Sequence, residues 1–262
     1  MSPVLKIARY QLVDLLRSRW FIGYLALLGL ATELMLRMGG MNKLLLTLAS
    51  AVLLVLPLVS LTFGTSHFYN SRDFTELLLA QPLPRAQLFL GLYLALALPL
   101  AAGVFLATGL PLLIHGGMDA AQLRVWLLIV QMSVVLAFCF VGIAFLIACL
   151  AGDKTRGMGA ALLVWLVLAL LFDALLLIAV DVFWDYPLDT AVLLAVFLNP
   201  IDLARTIIMM QMDAAALMGY SGAVFARFLN STMGAGAAAL TLLAWAAAPA
   251  WLAGRRFRKQ DF

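Results

Sequence analysis

The chain has 262 residues, 65% of them hydrophobic and 11% charged, with a mean hydropathy of +1.07 and a formal net charge of +4. That apolar share lies far outside the range of soluble globular domains and excludes a water-exposed fold. Two cysteines, ten residues apart at Cys139 and Cys149, exclude a disulfide framework or a thiolate metal site and read as packing residues.

In chain order, residues 1–19 come first. Val4, Leu5, Ala8, Leu12, Leu15 and Leu16 fall on one helical arc and Lys6, Arg9, Tyr10 and Arg17 on another, which predicts a basic amphipathic helix lying on a membrane surface. The apolar run that follows has no small-residue cleavage site before Glu33, so it is expected to be retained rather than removed as a signal.

Four charge-free runs, 44–71, 86–118, 125–152 and 228–254, each exceed the roughly 20 residues that a spanning helix needs. Two more, 20–36 around Glu33 and 157–180 around Asp173, qualify if one acid each is tolerated. The predicted fold is an all-α integral membrane protein in which spans cover about 20–38, 44–66, 88–114, 124–150, 158–180 and 232–254. Glu33 and Asp173 must face protein or water, because a carboxylate is costly against hydrocarbon; Arg37, one turn on, can pair with Glu33.

Counting Lys and Arg by loop puts twelve of the seventeen cations on one side, including both ends of the chain, and leaves Arg37, Lys43, Arg124, Arg205 and Arg227 on the other. Both termini are therefore expected in the cytoplasm. This asymmetry accounts for the basic balance, and no nucleic-acid partner is needed.

The cytoplasmic loop 67–87 reads as a short helix in which Asp73 caps the start, Glu76 reaches back to complete a capping box, and Pro82 and Pro84 end it. Phe74, Leu77 and Leu78 would then be presented either to the inner ends of the spans or to a groove on a cytosolic partner. The outer segment 181–231 contains a second helix start, with Asn199 as cap, Pro200 at the first position and Asp202 in the first turn. That helix is expected to run to about Asp213, to be followed by a break at Met218, Gly219, Tyr220, Ser221 and Gly222, and to dip into the outer leaflet.

The interfacial helix, six spans, an acidic helix followed by LLLAQPLPR between spans two and three, and a long outer segment before the last span together resemble ABC-2 transporter permeases. The LNPIDLAR element at 198–205 and the Phe172–Asp173 pair are similar to NosY-type permeases of NosDFY systems, which serve the copper sites of nitrous oxide reductase. The loop departs from better-known members in reading SRDFTE where they carry an acidic turn with glycines.

The resemblance implies a homodimer in a bacterial inner membrane, with a cytoplasmic NosF-like ATPase below and a periplasmic β-helical NosD-like protein above. It implies ATPase contacts at Asp73, Phe74, Glu76, Leu77, Leu78, Arg9 and Arg17, and partner or substrate contacts at Asn199, Pro200, Asp202, Arg205, Tyr220 and Phe225. ATP and Mg would be bound by the partner chain, since the phosphate-cradling GxxxxGK[ST] pattern is absent here. The chain is thus expected to be a transporter subunit rather than an enzyme, binding no cofactor itself, with copper as conceivable cargo.

Met209 and Met212 share a helical face and offer thioether sulfur to Cu(I), but Arg205 one turn earlier disfavours a cation and methionine is also a common packing residue. A generic ABC-2 exporter of a lipid or drug, or an intramembrane enzyme, are the competing readings. The last lacks a hydrolase motif.

Overall fold

The computed structural model describes residues 13, 18–79, 84–115, 117–183, 189–212, 228–229 and 231–259, and of Trp20, Asp73, Leu79 and Asp189 the backbone only. Most of the surface helix expected over 1–19, with Arg9 and Arg17, lies outside these residues, as do the break expected over 218–222, Tyr220 and Phe225. Among the described residues there is no strand.

The helices are α1 (Arg19–Met38), α2 (Met41–Asn70), α3 (Arg72–Leu79), α4 (Arg85–His115), α5 (Ala120–Leu150), α6 (Lys154–Leu166), a π segment (Val167–Leu171), α7 (Phe172–Val182), α8 (Asp189–Leu198), α9 (Pro200–Gln211) and α10 (Thr232–Arg258). Six of these stretches are long and apolar enough to cross a membrane, with α6, the π segment and α7 forming one of them. Polar residues at several helix ends find local partners. The start of α5, for example, is closed by a capping box in which Asp119 accepts from the Gln122 amide while the Gln122 side chain accepts from the Asp119 amide.

The middle of the bundle is α5, packed between α2, α4 and α10. Small residues set the spacing there. A Cβ added at Gly64 of α2 would stand 2.5 Å from the Ala144 Cβ of α5, and one added at Gly142 of α5 would stand 3.0 Å from the Ala250 amide nitrogen of α10. In lipid such close backbone approach is a main source of helix adhesion, because lipid tails are as apolar as leucine. Gly234 and Ala238, part of the small-residue face of the last span, are buried within the chain, whereas Ala235 and Ala239 stay exposed.

Polar side chains tie the spans together at their carbonyls. Tyr93 donates to Phe138 O (2.8 Å), Trp165 to Leu54 O (3.1 Å) and Tyr69 to Ala151 O (3.1 Å), the last closing the end of α5. Near that same end Phe68, Phe89, Phe145 and Phe257 from α2, α4, α5 and α10 meet edge to face or tilted, with centroids 5.5–6.1 Å apart. This aromatic knot lies next to α3 and joins four helices into one base. Cys139 is buried, Cys149 is half-buried, and both are free thiols.

Candidate functional site

Two regions at different depths carry the polar chemistry. The first is the α3 end of the bundle. Here α2 runs on to Asn70 and α3 begins at Arg72, with the Ser71 carbonyl accepting both the Thr75 amide (2.9 Å) and the Thr75 hydroxyl (2.8 Å). Asp73 therefore lies inside the first turn and is not the cap expected from sequence. Glu76 reaches back to Arg72 (3.7 Å), so an i,i+4 ion pair stands where the capping box was expected. The reason is that the preceding helix supplies the carbonyl that starts α3, leaving no break for a cap to fill.

Three apolar side chains were expected to project from α3, and they divide. Phe74 and Leu78 are half-buried against the core, while Leu77 is 71% exposed at the end of the bundle. The same end gathers Arg19, Arg85, Lys154, Arg156 and the basic last turn of α10, where Arg255, Arg256 and Arg258 lie. Arg85 donates to Arg258 O, and Lys154 to Asn70 Oδ1.

The second region is a hairpin that turns back into the bundle. α8 and α9 meet at 115°, with Asn199 at the bend. Asn199 caps α9 by accepting from the Ile201 amide (3.1 Å), and its side-chain amide donates to Asp202 Oδ2 and to Leu168 O, each at 2.7 Å. Leu168 is in the π segment at the middle of the fifth span, and Phe197 O, two residues before the bend, accepts from the Trp245 indole (3.4 Å) halfway along α10. The tip of the hairpin thus reaches mid-bundle. A π segment widens the helical turn and frees backbone polar groups from the regular ladder, and Asn199 uses one of them.

One and a half turns above the tip, Arg205 binds Asp173 of α7 (2.5 Å) and approaches Asp202 (3.3 Å). Asn199 and Arg205 are six residues apart on α9, and Leu168 and Asp173 five apart on the fifth span. At about 1.5 Å per residue these spacings match, so hairpin and span are fastened at two points in register. Asp202 is buried, whereas Arg205 and Asp173 keep about a third of their side chains exposed. Sequence reasoning had placed Asn199, Pro200, Asp202 and Arg205 on one helix and Asp173 apart on the fifth span, and the fold brings the two together.

Glu33 is elsewhere. It accepts from Arg37 (2.8 Å) as expected, and also lies 3.3 Å from His115 Nε2 of α4, a contact that sequence spacing could not reveal because the two helices are far apart in the chain. Met212 packs against the core and Met209 is half-buried one turn earlier. Among the described residues no cluster of three His, Cys, Asp or Glu is placed to hold a metal.

The sequence pattern described as "ABC-2 family transporter protein" matches residues 34–262. The chain is 30% identical to the probable ABC transporter permease protein NosY of Pseudomonas aeruginosa and 28% identical to that of Stutzerimonas stutzeri, with 99% of each chain covered in both cases. Together with six apolar helices and a short helix between the second and third, this settles the class: the chain belongs to the ABC-2 family and is a multi-pass permease subunit of an ABC transporter.

Proposed function

We propose that this permease is the lever of a NosDFY-like transporter. A cytoplasmic NosF-like ATPase, which holds ATP and Mg, drives it at α3, and a periplasmic β-helical NosD-like protein engages the far-end helices. In this reading the system serves the copper sites of nitrous oxide reductase, and copper is cargo rather than a resident cofactor. The observation that carries the proposal is the exposure of Leu77 on a helix whose Phe74 and Leu78 pack against the core. A helix anchored by two side chains and presenting an exposed leucine suits insertion into a groove on a soluble partner. The cations gathered at that end support a cytoplasmic assignment for it.

The lever has a continuous physical course. ATP binding closes the ATPase and pulls α3. The motion enters α2 through Ser71 and Thr75, passes to α6 where Trp165 is bonded to Leu54 O, and reaches the hairpin through Leu168–Asn199 and Asp173–Arg205. The hairpin would then alter the periplasmic face.

A homodimer fits the same geometry. The fifth span is almost entirely unburied, yet its Asp173 pairs with Arg205 and each side chain stays about one-third exposed. Charges do not face hydrocarbon, so protein or a water-filled path covers them, and a second copy is the simplest cover. The test is co-purification with the ATPase. Glu76→Lys with Leu77→Asp abolishes ATPase capture while helical content stays at the wild-type level; undiminished capture contradicts the α3 assignment.

A further inference from the structure

An apolar groove of about 770 Å³ runs between α5, α6 with the π segment, and α10. On α10 its lining extends from Thr241 to Leu252, about 16 Å of helix, or half of a roughly 30 Å hydrocarbon core. It lies in the half of the bundle adjoining the α3 end, and its inner limit is the re-entrant tip, since the lining residues Leu168 and Trp245 are the ones bonded to Asn199 and Phe197. The two polar side chains of the lining face of α10 are already engaged, Trp245 with Phe197 O and Thr241 with Ala237 O. The groove therefore presents apolar atoms to its occupant and asks for no hydrogen bond.

The lining faces end in cations. At 100° per residue the face of α10 that holds Thr241, Trp245, Ala248 and Leu252 continues onto Arg255, Arg256 and Lys259. On α6, Arg156, two turns before Leu163, shares the lining face and is exposed. Arg255 stacks on Trp251 at 3.9 Å and Arg156 pairs with Asp153 at 3.1 Å, so among the described residues of these lining faces the acid Asp153 stands beside the cations Arg156, Arg255, Arg256 and Lys259. A leaflet-long apolar channel leading to a cationic mouth is complementary in shape and charge to a phospholipid with an anionic headgroup.

We propose that this groove binds an acyl chain of an anionic phospholipid from the leaflet at the α3 end, with its headgroup held by Arg156, Arg256 and Lys259. Such a lipid would touch Leu168 and Trp245, the residues to which the hairpin tip is fastened, so its presence would steady the hairpin. The proposal rests on the six spans alone, and its failure leaves ATPase docking at α3 untouched.

The test is native mass spectrometry of the full chain released from nanodiscs of equal phosphatidylglycerol and phosphatidylcholine. One phosphatidylglycerol is expected to stay bound per chain, with at least ten-fold preference over phosphatidylcholine. Ala248→Phe, which fills the groove, should cut retention at least ten-fold, while Ala247→Phe, on an exposed face outside the groove, should not. Arg156→Gln with Arg256→Gln should keep a lipid but bring the preference below two-fold. If Ala248→Phe does not fold, quenching of Trp245 by brominated phosphatidylglycerol in the wild-type background, compared with Trp245→Phe, gives the same answer. Equal retention of both lipids by the wild type, or unchanged retention in folded Ala248→Phe, overturns the proposal. So does separation of two copies by Ala248→Phe with no change in lipid, which would make the groove a seat for the second copy.

Discussion

Arg205→Gln is the most informative single change. In the wild type, one guanidinium sits 2.5 Å from Asp173 and 3.3 Å from the buried Asp202. Its loss leaves two acids facing each other across the hairpin and the fifth span. Removing one partner of a fully buried pair costs about 3–5 kcal/mol. The Asp173–Arg205 half is about one-third exposed, whereas the Asp202 side chain is only 6% exposed, so an intermediate loss of about 1–3 kcal/mol is expected. Arg37→Gln, which removes a guanidinium that is 70% exposed in its pair with Glu33, is the control and should cost under about 1 kcal/mol. The assay is reversible unfolding of the chain in mixed micelles of mild detergent and SDS. Adding Asp173→Asn to Arg205→Gln should recover part of the loss, because one uncompensated charge disappears. If Arg205→Gln costs no more than Arg37→Gln, or Asp173→Asn deepens the defect, the two-point fastening of the hairpin is wrong.

Other outcomes follow from the same geometry. Asn199→Ala removes the α9 cap and the bond to Leu168 O, and should destabilise the hairpin by about 1–2 kcal/mol, read as faster amide exchange over α9. Asn199→Asp should keep the cap but lose the bond to Leu168. Gly142→Leu forces α5 away from Ala250 and should lower stability by about 1–3 kcal/mol in the same micelle assay, whereas Gly236→Leu, where nothing lies within 4 Å, should be near neutral. Leu77→Asp alone should weaken ATPase capture without shifting the unfolding midpoint, because Leu77 touches little of the protein.

The spans were legible in the sequence because length and apolarity suffice to define them, and the start of α9 was legible because Asn199, Pro200 and Asp202 form a local signal. The depth of the hairpin was not. Its tip is set by a bond from Asn199 to a carbonyl 31 residues earlier, and nothing in the VLALL run of the π segment distinguishes it from regular helix. Asp173 and Arg205 were each conspicuous as charges near lipid, but their pairing exists only once α9 folds back beside α7. The misplaced start of α3 has the opposite origin. Asp73 and Glu76 make a plausible local cap, and the continuation of α2 through Asn70 overrides it. His115 and Glu33 meet for reasons that belong to packing alone.

The central claim is that nucleotide binding below moves the re-entrant hairpin above. It is tested most directly by electron–electron resonance between spin labels at Leu198→Cys in two copies, with Cys139 and Cys149 replaced by alanine and the ATPase bound. A shift of several ångströms in the label separation is expected when ATP replaces ADP, abolished by Leu77→Asp. A separation that is the same in both nucleotide states contradicts it.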